Sequence, residues 1–153
     1  ERYYDVRHDK ARALEWARNA AEAGSDQGKY LVAKYSYVPQ RYTNISIAQA
    51  PKDFIEKQRL TGIYVEYDRM SIDFTYSCFT SNTIWLNKDT HIRCDGRTYR
   101  MLSSTLPIHP KTRYVGNGEV VKYTIVFERI PDISRPFDIS DGTKVNWVGI
   151  KIK

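Results

Sequence analysis

Between Asp9 and Ala23 the apolar residues fall at Ala13, Trp16, Ala17, Ala20 and Ala21. That spacing of three and four predicts one buried stripe along a helix. Asp9 is placed to cap its start, and Gly24 stands where a left-handed stop is wanted. Ser25-Asp26 offers a fresh cap for a second helix, with Tyr30, Leu31, Ala33 and Tyr35 as packing positions and Pro39 as its limit. Two helices so closely joined form a helical hairpin. A third, short helix is expected from Pro51 to Gln58, with Pro51 in the first turn and Phe54 and Ile55 on its apolar side.

From Leu60 onward the period changes to two. Ile63, Val65 and Tyr67 alternate with Tyr64 and Glu66; Ile72, Phe74, Tyr76 and Cys78 alternate with Ser71, Asp73, Thr75 and Ser77. Both patterns predict half-buried strands. Further strands are expected at Thr83–Asn87, Thr90–Cys94, Arg97–Leu102, Val121–Phe127, Phe137–Ile139 and Val145–Ile152. Asp95-Gly96 is a hairpin turn signal, and Asp141-Gly142 separates the last two strands. The division is therefore a helical segment at 1–58 and a sheet domain at 59–153. This is an α+β chain whose seven to eight antiparallel strands argue for a β-sandwich, with a small barrel as the alternative.

Two stretches resemble known families. The run Ala13-Leu14-Glu15-Trp16-Ala17-Arg18-Asn19-Ala20-Ala21-Glu22-Ala23-Gly24, followed by Gly28-Lys29-Tyr30-Leu31 and Tyr35, resembles one Sel-type repeat, a relative of the tetratricopeptide repeat. It departs from that family at Val32-Ala33, and at Gly28, where the family usually has Ala. The resemblance implies a protein-interaction scaffold. Such repeats are normally stacked, so a single hairpin implies either earlier repeats upstream or packing against the downstream part of the chain. Thr90–Met101, Tyr123–Pro131, Phe137–Ile139 and Trp147–Ile150 together resemble an immunoglobulin-like domain of Bacteroidetes-type cell-envelope and secreted proteins. That likeness implies the sandwich fold, an accessory role, no catalytic residues to carry over, and a bacterial envelope or periplasmic setting.

Composition narrows the classes. Hydrophobic residues make up 41% and aromatics 13%, which excludes collagen-like, low-complexity and wholly disordered chains. No run approaches the length of apolar sequence that a membrane helix needs. The chain opens Glu1-Arg2-Tyr3-Tyr4-Asp5 without Met or a signal segment, as a trimmed or processed product would. Lys and Arg total 24 against 18 acids, net +6, spread over both parts without a polycationic arm. That excess aids solubility and acidic partners but does not make a nucleic-acid binder. Cys78 and Cys94 share parity with apolar neighbours, so both are expected to be buried thiols, with a bridge between strands as the alternative in an oxidising compartment.

Candidate chemistry is sparse. His8, His91 and His109 are scattered, and His91 and Cys94, three apart on a strand, face opposite sides, so no metal or cofactor is expected. Gly116-Asn117-Gly118 reads as a turn rather than a phosphate loop. The surface feature with most to offer is a basic cluster: Lys88, Arg93, Arg97, Arg100, Lys111 and Arg113 against Asp89 and Asp95, with Trp85 close in sequence. Arg beside aromatics can grip an acidic partner or a glycan. The tyrosines Tyr3-Tyr4 and Tyr35-Tyr37-Tyr42 are candidate contact faces. The expected function is a non-enzymatic interaction or assembly module with another protein as partner. The alternative is a carbohydrate- or peptide-binding accessory domain using Trp85, Trp147 and the basic hairpin; a concave aromatic groove would favour that alternative.

Overall fold

The computed structural model describes residues 6–52 and 56–153, with side chains from residue 11 onward. The chain divides into two compact units. One is the helical hairpin up to Pro39 together with Glu66–Asp68, and the other is the sheet from Gln40 onward without that turn.

In the first unit α1 (Val6–Glu22) and α2 (Asp26–Ser36) are joined through Gly24, whose φ of 89° requires a residue without a side chain. Ser25 caps α2, its Oγ accepting the Gly28 N–H at 3.1 Å. Helix is already present at Val6, because nothing in Val6-Arg7-His8 breaks it, so Asp9 lies inside α1 rather than capping it. The helices meet through their smallest residues. A Cβ on Gly28 would lie 2.6 Å from the Ala21 nitrogen and 2.7 Å from the Ala20 Cβ, and Ala17 is buried. This close approach accounts for glycine at Gly28. It also leaves Trp16 78% exposed, against the expected stripe, since successive residues point about 100° apart around a helix. Tyr67 packs its ring against Tyr30 at 5.7 Å and Tyr37 at 6.2 Å, and Asp68 accepts from the Tyr30 hydroxyl at 3.2 Å. Tyr3 and Tyr4 lie outside the described residues.

Among the described residues the second unit holds eleven strands: β1 (Gln40–Tyr42), β2 (Ile45–Ser46), β3 (Glu56–Val65), β4 (Arg69–Cys78), β5 (Asn82–Ile84), β6 (His91–Cys94), β7 (Arg97–Ser104), β8 (Arg113–Val115), β9 (Val120–Glu128), β10 (Phe137–Ser140) and β11 (Val145–Ile152). All eight expected strands are present. The three others, β1, β2 and β8, are too short for alternation to register. Nine strands form one sheet in the order β1-β3-β4-β9-β7-β6-β10-β11-β2, and β5 pairs with β8. Strand β7 pairs with β6 over Arg97–Arg100 and with β9 over Met101–Ser104, so the sheet folds over there and its halves face each other. Phe74 on β4 sits 5.5 Å from Trp147 on β11 across the interior. The result is a folded-over, sandwich-like antiparallel sheet whose core includes Ile63, Ile72, Phe127, Ile92 and Ile150.

The third helix expected at Pro51–Gln58 is not formed at its end: Glu56, Lys57 and Gln58 open β3, while 53–55, with Phe54 and Ile55, lie outside the described residues. Cross-strand pairing with β4 is the cause, as Glu56 faces Cys78 and Gln58 faces Tyr76. A bulge between Leu60 and Gly62 then changes the side to which β3 residues point. Before it, Glu56, Gln58 and Leu60 share the inner face with Tyr76 and Phe74; after it, Ile63 and Val65 take that face. The Asp95-Gly96 turn has φ of 51° and 78°, as a two-residue hairpin requires, and joins Cys94 to Arg97. Cys78 and Cys94 are both buried and unbridged. No helix among the described residues is long and apolar enough to cross a membrane.

Candidate ligand cavity

The residues of the expected basic cluster lie on several elements. Arg93 and Arg100 lie on the outer face of β6 and β7, where Arg93 donates to His91 Nε2 at 3.2 Å and Arg100 faces His91 across the ladder. Arg100 is taken up by Glu128, which accepts its backbone N–H at 2.8 Å and lies 3.5 Å from its guanidinium. Arg97 is exposed beside the hairpin turn, and Lys88 is exposed in the loop before β6. Arg113 belongs to the separate β5–β8 ribbon and pairs with Glu119 at 3.2 Å, with Lys111 exposed just before it. Asp95, counted against the cluster, instead pairs with Arg135 at 2.9 Å. These six residues divide between β6 and β7 of the folded-over sheet, the loop before β6, and the β5–β8 ribbon with the segment leading into it.

Trp85 is placed differently. It follows β5, is half exposed, and lies at a tilt 5.9 Å from the His109 ring. It also lines an open cavity of about 690 Å³ whose walls come from the folded-over sheet, from β5 and from the loop after β5. Phe74, Tyr76, Tyr123 and Trp147 supply aromatic walls from β4, β9 and β11. Gln49, Gln58, Asn82, Asn87 and Asn146 add five amides. The charged residues are Lys52 and Lys144 against Glu56 and Asp141, a balance of two and two. Its volume falls in the range of small-molecule sites, but its exposed lining is more polar than such sites usually are, and of the five aromatic residues only Trp85 presents much of its ring.

The polar groups form a network. Glu56 Oε1 accepts from the Tyr76 hydroxyl at 3.0 Å and from Asn82 Nδ2 at 2.6 Å. Asn82 Nδ2 also reaches the Tyr76 oxygen at 3.1 Å, and its Oδ1 accepts the Thr83 N–H at 2.8 Å. Tyr123 donates to Gln58 Oε1 at 3.4 Å. Burial, opposed by the Asn82 hydrogen bond and reinforced by Glu56, pushes the Tyr76 phenol up to about 12. Burial raises Tyr123 as well. Both therefore stay protonated at neutral pH and act as hydroxyl donors, not as bases. For Asp141, burial works to raise the carboxyl, but hydrogen bonds from Thr143, Lys144 and Asn146 outweigh it and hold the group at about 2. Asp141 is thus committed to its own turn, where its Oδ1 accepts the N–H groups of Thr143 at 2.8 Å and Lys144 at 2.9 Å.

Sequence pattern alone puts Trp85 and Trp147 among the candidate contacts and misses Glu56, Gln58 and Asn82. A signal for the first two exists: polar residues at every second position of a strand whose opposite neighbours, Tyr76 and Phe74, belong to the core. No protein-family model matches this chain, and neither does any curated protein or solved structure.

Proposed function

We propose that the sheet unit is a carbohydrate-binding accessory module of immunoglobulin-like type that holds a neutral glycan in the cavity. The observation that carries this reading is the lining itself: five aromatic rings and five amides around about 690 Å³, with cationic and anionic residues in equal number. A sugar ring has an apolar C–H face that stacks on an aromatic ring and a rim of hydroxyls that amides and carboxylates bind. We read binding rather than turnover because glycoside hydrolysis uses a pair of carboxylates, and Asp141 is hydrogen-bonded within its own turn, which leaves Glu56 alone. The order of hairpin then antiparallel sheet is compatible with the Sel-type and immunoglobulin-like resemblances. In this reading the hairpin, with Trp16 exposed, is the part that meets a protein partner.

Trp85 gives the direct test, because it is half exposed and its loss removes no core packing. Wild-type protein titrated calorimetrically with neutral oligosaccharides of glucose, mannose, galactose and xylose is expected to bind at least one. Trp85→Ala should weaken that binding about tenfold or more, as loss of an aromatic anchor does, at an unchanged melting temperature. Absence of binding across the panel, or equal affinity in the variant, would overturn the reading. For the hairpin, chemical crosslinking to a partner should fall in Trp16→Ser while glycan affinity stays intact.

A further inference from the structure

Two carboxylates line the cavity, and they differ in what they have left to give. Asp141 has Oδ1 taken three times within its own turn, by the N–H and hydroxyl of Thr143 and the N–H of Lys144, and Asn146 adds a side-chain hydrogen bond to the same carboxylate. Glu56 has Oε1 taken twice, by Tyr76 and Asn82, while Oε2 receives no hydrogen bond among the described residues. The group is nevertheless held firmly. Asn82 cannot turn its amide over without setting its carbonyl against Glu56 and its NH2 against the Thr83 N–H. Cross-strand pairing of Glu56 with Cys78 fixes the backbone beneath it. Oε2 reaches solvent, so a hydroxyl donor that enters the cavity can take the place of water there.

We infer that Glu56 is the specificity-determining residue of the cavity, its Oε2 accepting two hydroxyl donors from neighbouring carbons of a neutral sugar. This rests on the carbohydrate reading above. An ionised carboxylate oxygen has two acceptor sites and no donor, so it suits a vicinal diol, which presents two O–H groups to one point. Lys52 and Lys144 oppose a cationic ligand in the same cavity, and Glu56 itself opposes an anionic one. A neutral ligand meets no repulsion from either sign, and among neutral ligands polyols carry the adjacent O–H donors that Oε2 can accept. Preorganisation by Asn82 and Tyr76 means that little ordering is needed when the ligand arrives.

The test is a cycle between protein and ligand. The tightest neutral methyl glycoside from the panel is compared with its monodeoxy analogues, each lacking one ring hydroxyl, against wild type, Glu56→Gln and Glu56→Asp. In the wild type, removing either hydroxyl of one adjacent pair should cost about tenfold or more in affinity, as a hydrogen bond to a charged acceptor does. In Glu56→Gln the parent glycoside should bind about tenfold more weakly, and those two deoxy analogues should lose nothing further. Glu56→Asp keeps the charge but draws it back by one methylene, so an intermediate loss is expected. Glucuronic acid and glucosamine derivatives should bind more weakly than the neutral parent. If every deoxy analogue loses the same factor from wild type and Glu56→Gln, the role of Glu56 is overturned while the carbohydrate reading stands. If no glycoside binds the wild type, both fall together. A melting temperature of Glu56→Gln close to that of wild type separates lost recognition from lost folding.

Discussion

Asn82 shows how one side chain can set the chemistry of a cavity it barely fills. Its carbonyl is anchored on the Thr83 N–H, so its two N–H donors must point toward Glu56 and Tyr76. Asn82→Asp keeps the shape and removes those donors, setting a second carboxylate where the amide was 2.6 Å from Glu56. The expected cost is about 1–3 kcal/mol, since a partly buried acceptor loses its donor and gains a like charge. Urea denaturation at pH 7 measures it; a midpoint equal to that of wild type would show that Asn82 does not hold Glu56. At this scale the sequence was partly legible. Trp85 and Trp147 stood out because large aromatics are rare and matter wherever they sit. Glu56 did not, since a charged residue near Pro51 reads as the solvated end of a helix until β4 is known to pair with it. The basic cluster was read from closeness along the chain, whereas the ion pairs that take up two of its members, Arg100 with Glu128 and Arg113 with Glu119, became visible only in the fold.

The elements repeat that contrast between local and non-local cause. Strands β4 and β9, read from alternation, have their apolar side fixed by their own residues, and Asp95-Gly96 carries its turn in its own backbone preference. The bulge in β3 has no such local mark. Gly62 is the one hint, lying where Thr61 is the extra residue between Leu60, opposite Phe74, and Gly62, opposite Asp73. By reversing the inner face there, the bulge turns Glu56 and Gln58 into the cavity; a regular ladder would bring Lys57 and Arg59 inward instead. In the hairpin, the close approach of α2 to α1 makes a test of helix packing against helix propensity. Alanine is favoured over glycine within a helix by about 1 kcal/mol. Yet Gly28→Ala places a methyl 2.6 Å from the Ala21 nitrogen and 2.7 Å from the Ala20 Cβ. Overpacking of that kind costs about 1–3 kcal/mol, so the variant should be destabilised despite its better propensity. Helical ellipticity monitored during thermal unfolding is the measurement, and a raised melting temperature would show that the helices can separate without cost.

At the scale of the whole molecule, stability should be bounded on both sides by the groups around the cavity. Asp141 is held at about 2 in the folded chain, whereas a carboxyl in the unfolded chain titrates at about 4. Between those values the unfolded chain binds more protons, so stability falls as pH drops from about 4 toward 2. Tyr76 and Tyr123 are displaced the other way, from an ordinary value of 10.0 upward, Tyr76 to about 12. Above pH 10 the unfolded chain has already lost those protons while the folded chain keeps them, so stability falls as pH rises toward 12. Asp95, Asp132 and Glu128 are also lowered, by hydrogen bonds from Arg135, Ser134 and Arg100, but they lie at the surface, where solvent screens such interactions and their part is small. The Cys94 thiol is likewise raised from 9.0 by burial, so calorimetric melting temperatures should form a plateau from about pH 4 to about pH 9 with a decline at each end. Asp141→Asn should flatten the acid decline and Tyr76→Phe should reduce the alkaline one; unchanged limbs in both variants would mean that other groups govern the transitions. The alkaline limb reaches further than stability. When Tyr76 ionises, its oxygen stops donating to Glu56 and becomes a second anion beside it, so the carboxylate is no longer held to receive a diol. Glycan affinity should then fall over the same interval, and measuring it alongside the melting temperature ties the cavity's chemistry to the fold that creates it.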